Sequence, residues 1–263
     1  NTCSDVALAH NLQLDIVNST TSTFSWIAAD NLNTTGESKD IAQTTSSITD
    51  VITNTTSVQQ TVVYTVTPTA GSCAGSTFTI TTTVNPTPSV TAQTATICSG
   101  AAFTVAPVNG SGNIVPAGTQ YTWTVAANAN VTGEADQATA QNNISQTLTN
   151  TSGLVETVVY TVTPEISGCT GTPFTVSVNV NPTPSIANTT MNACSGEVFS
   201  LTPASGNGDV VPAGTTYTWI VADNSFVLGE SDEATAQTSI SQTLANNYVT
   251  AQNVVYTITP TVG

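Results

Sequence analysis

The string VVYTVTP stands at residues 62–68 and again at 158–164, and VVYTITP stands at 254–260, each 96 positions after the last. Other landmarks keep nearly the same interval: Trp26, Trp123 and Trp219; Cys3, Cys98 and Cys194; Cys73 and Cys169; and NPTPS at 85–89 and 181–185. A fixed period constrains the architecture before any single residue does. A unit of this size is domain-sized and can bury its own core, whereas solenoid repeats of about 20–50 residues lean on their neighbours. The 263 residues are therefore read as three tandem domains, 1–86, 87–182 and 183–263.

Unit 2 shows how such a domain is built. PSVTAQTATI (88–97), AFTVAP (102–107), TQYTWTVA (119–126), ISQTLTN (144–150), ETVVYTVTP (156–164) and PFTVSVNV (173–180) are rich in β-branched residues. Turn-rich VNGSGNIVPAG (108–118) and polar NANVTGEADQATAQNN (128–143) separate them, the latter with room for a short strand at 130–132. No helical apolar spacing appears. Short alternating strands bounded by Gly, Pro, Asn and Ser predict an all-β sandwich of antiparallel sheets. Within 156–164, Val158, Tyr160 and Val162 share the expected core face, and Pro164 is expected to end the strand. Trp26, Tyr64, Trp123, Tyr160, Trp219 and Tyr256 are read as core. An exposed sugar-stacking platform is the alternative role for these rings. Unit 1 is expected to lack its opening strand and unit 3 its closing strand.

Charge excludes several functions. One Lys or Arg stands against 16 Asp plus Glu, a formal net charge of −15. Nucleic acid and anionic membrane surfaces both need basic side chains, so neither is an expected partner. Thr, Ser and Asn supply the solvated face instead, and no long apolar run is present to insert in a membrane. The single lysine, Lys39, rules out Lys–Asn isopeptide locks in units 2 and 3.

Cysteine spacing suggests an exported protein with a disulfide framework. A zinc site is disfavoured, because the chain has no CxxC and only one histidine, His10. The period suggests Cys3–Cys73 and Cys98–Cys169, and it places a partner for Cys194 just past Gly263. The NPTP joints, with two prolines each, predict stiff connections and hence a semi-rigid rod.

The series CSGAAFTVAP, NIVPAGTQYTWTVA, ISQTLTN, VVYTVTP and GCTGTPFTVSVNVNPTP resembles the PKD-like repeats of very large Bacteroidota surface proteins. The match is dense in units 2 and 3 and looser in unit 1. The resemblance implies immunoglobulin-like β-sandwiches in an adhesin stalk or filament. It also implies export by type IX secretion, often with a gliding-motility-associated module elsewhere in the protein. The expected setting is extracellular, at the cell surface. The expected partners are neighbouring repeats and other copies in a filament.

Nothing suggests an enzyme: histidine is nearly absent and no nucleophile, metalloprotease or phosphate-loop motif appears. The strongest chemical signal is an acidic loop after each tryptophan strand. It holds Asp30, Glu37 and Asp40, then Glu134 and Asp136, then Asp223, Glu230 and Asp232. Carboxylates two apart in a Gly loop suit Ca²⁺ in principle, although the spacing is not that of an EF-hand. Otherwise they solvate the loop, and no cofactor is expected. The leading expectation is a non-enzymatic, disulfide-stabilised spacer. A carbohydrate-binding module or strand-exchange assembly is the alternative.

Overall fold

The computed structural model describes residues 1–262. The fold is all-β, and three sandwich units follow one another along the chain. Its only helical segment among the described residues is a 3-10 turn at Leu12–Asp15, and no helix is long and apolar enough to cross a membrane.

Unit 1 contains β1 (Thr2–Cys3), β2 (Thr23–Ala28), β3 (Gln60–Ala70), β4 (Cys73–Ala74) and β5 (Phe78–Asn85). They form one sheet in the order β1–β5–β3–β2, with β4 folded back on β3. All pairs are antiparallel except β1 with β5, where Cys3 lies beside Asn85.

Unit 2 repeats this and adds to it. Its strands are β6 (Gln93–Cys98), β7 (Ala102–Val105), β8 (Gln120–Val125), β9 (Gln137–Gln141), β10 (Ile144–Thr147), β11 (Glu156–Ile166), β12 (Cys169–Thr170) and β13 (Phe174–Asn181). The main sheet runs β6–β13–β11–β8–β9, with β12 on β11, and β7 pairs with β10 in the facing layer. Again the first strand lies parallel to the last, with Cys98 beside Asn181.

Alternation explains why these segments face as they do. A strand has only two side-chain directions, so one apolar set in every second position decides the register. On β11, Val158, Tyr160 and Val162 are 1%, 0% and 0% exposed, while Thr161 between them is exposed. They pack against Phe103, Val105 and Ile144 of the second layer and against Val176 and Val178 of β13. Trp26, Trp123 and Trp219 are 3%, 6% and 5% exposed. Each indole Nε1 donates to a carbonyl of the following loop, at Thr45, Ala135 and Ser231 respectively. A core tryptophan with its one polar atom satisfied typically costs about 3–5 kcal/mol to truncate. Buried rings offer no face for sugar stacking.

Pro164 does not end its strand: β11 runs on to Ile166. Pro164 sits opposite Tyr121, and its carbonyl accepts from Gly171 N at 2.8 Å. Its ring nitrogen points the same way, away from β8, so the β8–β11 ladder loses no bond, and on the other side the β13 ladder has already stopped at Phe174. β9 falls in the segment read as polar loop, and it attaches to β8 through a register shift.

Unit 3 contains β14 (Val198–Leu201), β15 (Thr216–Val221), β16 (Glu233–Gln237), β17 (Ile240–Thr243) and β18 (Tyr256–Thr261). The sheet is β16–β15–β18, facing the pair β14–β17. Among the described residues no strand pairs with the free edge of β18. Residues 252–255, equivalent to the start of β11, are accordingly outside any strand, and Tyr256 is half-buried where Tyr160 is fully buried.

Candidate functional site: the joint between units 1 and 2

The expected bonds Cys3–Cys73 and Cys98–Cys169 do not form. Cys3 is bonded instead to Cys169, with Cα atoms 5.6 Å apart and a sequence separation of 166. The reason lies in the sheet. β3 and β5 are antiparallel with Val66 opposite Phe78, so the β3–β4 hairpin that carries Cys73 lies beyond the Phe78 end. Cys3 lies beside Asn85, at the other end. Seven residues of strand separate those ends, roughly 23 Å at about 3.3 Å per residue, and a disulfide spans less than about 7 Å between Cα atoms. The same argument separates Cys98, beside Asn181, from Cys169. Cys73, Cys98 and Cys194 are exposed free thiols.

The parallel pairing of first and last strands therefore brings the first cysteine of a unit to its exit, where the chain leaves for the next unit. The hairpin cysteine stands at the entrance. The bond joins the exit of unit 1 to the entrance of unit 2.

Hydrogen bonds hold the exit corner. Ser4 N donates to Asn85 O at 2.8 Å, and Asn54 N donates to Ser4 Oγ at 2.9 Å. Asn54 Nδ2 donates to Val84 O at 3.1 Å, tying the corner to β5. Thr87, inside the linker, donates through Oγ1 to Ser4 O at 3.2 Å. Each unit repeats the Cys-Ser corner and its asparagine: Asn150 N donates to Ser99 Oγ and Asn246 N to Ser195 Oγ, both at 2.9 Å.

The entrance hairpin turns tightly. Ser167 and Gly168 both have positive φ, 49° and 80°, as a two-residue hairpin requires. This presents Cys169, 1% exposed, to the preceding unit. Gly171 completes the fit: a Cβ there would collide with the carbonyl oxygen of linker residue Pro88. Pro86 and Pro88 are buried, whereas Pro182 and Pro184 at the second joint are only half-buried.

The acidic loops are occupied by their own backbone. Asp136 accepts from Val125 N and Asp232 from Val221 N, both at 2.8 Å. Glu134 accepts from Asn128 N at 3.3 Å and Glu230 from Asn224 N at 3.1 Å. Asp30 pairs with Lys39, and Asp40 and Asp223 are exposed. Glu37 is 7% exposed with both carboxylate oxygens unpartnered. Among the described residues no three His, Cys, Asp or Glu side chains gather into a metal-binding group. A hollow lined by Gly118, Gln120, Thr122, Thr163 and Glu165 holds one carboxylate and no histidine, so it contains no acid–base pair.

A family model for the PKD-like domain matches residues 1–88, 91–184 and 187–263. The chain belongs to the PKD-like domain family, in three tandem copies. No curated protein matches the sequence. Similar solved structures include the human desmocollin-1 ectodomain, at 12% identity and a TM-score of 0.32, covering 89% of this chain and 50% of that one. The chain thus spans half the length of that relative. The chicken CNTN1 FN1–FN3 domains share 12% identity at a TM-score of 0.29, covering 91% of this chain and 82% of that one. The titin I-band fragment I67–I69 shares 11% at 0.30, covering 84% and 77%.

Proposed function

We propose that the chain is a structural spacer: PKD-like units held end to end in the stalk or filament of a large surface adhesin. It serves no catalytic role. The observation that carries this reading is the covalent bridge across the first joint, made by residues that have no other chemistry. A disulfide between units suits an oxidising, extracellular setting. The partners are then neighbouring repeats of the same chain and other copies in a filament. The Bacteroidota surface proteins exported by type IX secretion, among them gliding-motility-associated ones, are the setting that the sequence resemblance favours. Small-angle X-ray scattering tests the spacer. Three sandwiches end to end, with strands of this length, should give a maximum dimension of about 100–120 Å. A compact particle overturns the reading.

A further inference from the structure

We propose that the Cys3–Cys169 bond makes units 1 and 2 an inextensible strut, which carries tension without unfolding. The inference rests on the spacer reading, since only a stalk is pulled from its ends.

The argument is topological. Tension applied at the two ends follows the shortest covalent path. From Asn1 it reaches Cys3 after two residues and crosses the disulfide to Cys169. It then leaves along β12 and β13 to Asn181 and the second joint. Residues 4–168 hang from this path as a closed loop and bear no load. They include all of unit 1 after the corner and every strand of unit 2 before β12.

The part of unit 2 that does bear load is already extended. β13 runs from the entrance to the exit, and a strand at about 3.3 Å per residue has almost no slack to give. It is also clamped on both edges. β6 pairs with it in parallel from Val176 to Asn181, and β11 pairs antiparallel from Phe174 to Val180. Force passes along the β13 backbone itself, and the two ladders hold that strand straight without carrying the load. Cys98 forms no bond to a described residue, so in this chain tension runs through unit 3 itself.

The test is single-molecule force spectroscopy on the full chain, held by terminal tags that avoid cysteine. The oxidised protein should lengthen only by unit 3, on the order of 250 Å at about 3.3–3.6 Å per residue. In C169S the 166 residue steps of the loop join the path, where the bond now holds its ends 5.6 Å apart. The extra release should be on the order of 550–600 Å. Adding dithiothreitol to the folded wild type gives the same release without a variant that has to fold. Its thiolates displace the two cysteine sulfurs in turn, leaving two protein thiols and a cyclic oxidised dithiol. C98S should behave as wild type. Full-length release from the oxidised protein, or no added release in C169S or with dithiothreitol, overturns the strut. Scattering separates this from failure of the spacer reading, because a compact particle can still carry the bond and its hidden length.

Discussion

Tyr64 donates its hydroxyl to Asp50 at 3.0 Å, whereas the equivalent Tyr160 and Tyr256 donate to the amide oxygens of Gln146 and Gln242 at 2.9 and 2.8 Å. Asp50 also accepts from Ser38 N and Ser38 Oγ, both at 2.8 Å. Unit 1 thus uses a buried carboxylate to do what an amide does in its neighbours. D50A leaves a buried hydroxyl and two serine donors without their acceptor, which should cost about 2–3 kcal/mol. D50N keeps an acceptor and should cost less than half as much. Urea unfolding followed by tryptophan fluorescence measures both. Equal losses in the two variants would show that charge, not satisfaction of the donors, is what unit 1 needs.

The same tyrosines set an alkaline limit. Burial, and then the Glu230 charge, push the Tyr256 hydroxyl from its ordinary 10.0 up to about 12. Burial and the Glu134 charge raise Tyr160, and burial with Asp50 raises Tyr64. Folded-state values above the unfolded ones mean that the folded chain keeps protons the unfolded chain gives up. The stabilisation is whole below pH 10, shrinks as pH rises past it, and for Tyr256 is spent near pH 12. Denaturation midpoints should be flat from pH 7 to about 9 and fall steeply above 10. Y160F should reduce that slope, and an unchanged slope would assign it to other groups.

Gly133 matters for a different reason. Its φ is +96°, and a Cβ would run into the carbonyl oxygen of Thr147; Gly36 and Gly229 meet Val51 and Thr243 in the same way. G133A therefore adds a backbone collision to an unfavourable φ, and more than about 2 kcal/mol should be lost. The loop it opens carries Ala135, whose carbonyl accepts from the Trp123 indole, so the tryptophan emission should shift with the loss. A neutral G133A would mean the loop can move aside freely.

The core was legible because alternation leaves each residue of VVYTVTP two choices, and only one face is apolar. The first and last strands of a unit, and the tryptophan strand between, followed from the same rule. β9 was hidden because QATAQ has no large apolar residue to set a face, and it is held by pairing to β8 alone. Pro164 stays inside its strand because its nitrogen faces away from β8, a direction the sequence does not show. The disulfide lies beyond what spacing alone can decide. Spacing relates Cys3 equally well to Cys73 and, one period later, to Cys169. Only the parallel pairing of β1 with β5, which no local pattern encodes, puts Cys3 at the exit. Two clues were present in the sequence: the cysteine-serine pairs at 3–4, 98–99 and 194–195, and the glycine two residues after Cys169 that makes room for Pro88.

Thiol counting decides between the two patterns of pairing. Bonds within units would pair four cysteines and leave Cys194 alone. The bond between units pairs two and leaves Cys73, Cys98 and Cys194 exposed. Alkylation of the native, unreduced chain should therefore add three labels, rising to five after reduction, with Cys3 and Cys169 the late pair. Proteolysis without reduction should release one cross-linked peptide joining the first strand of unit 1 to the β11–β12 hairpin. C3S and C169S should each free the other residue and raise the native count from three to four. In the chain-entropy account, a closed loop this long constrains the unfolded chain by about 5 kcal/mol, so either variant should also melt lower by several degrees. A native count of one, with cross-links from 3 to 73 and from 98 to 169, would reverse the assignment of the joint and remove the strut with it.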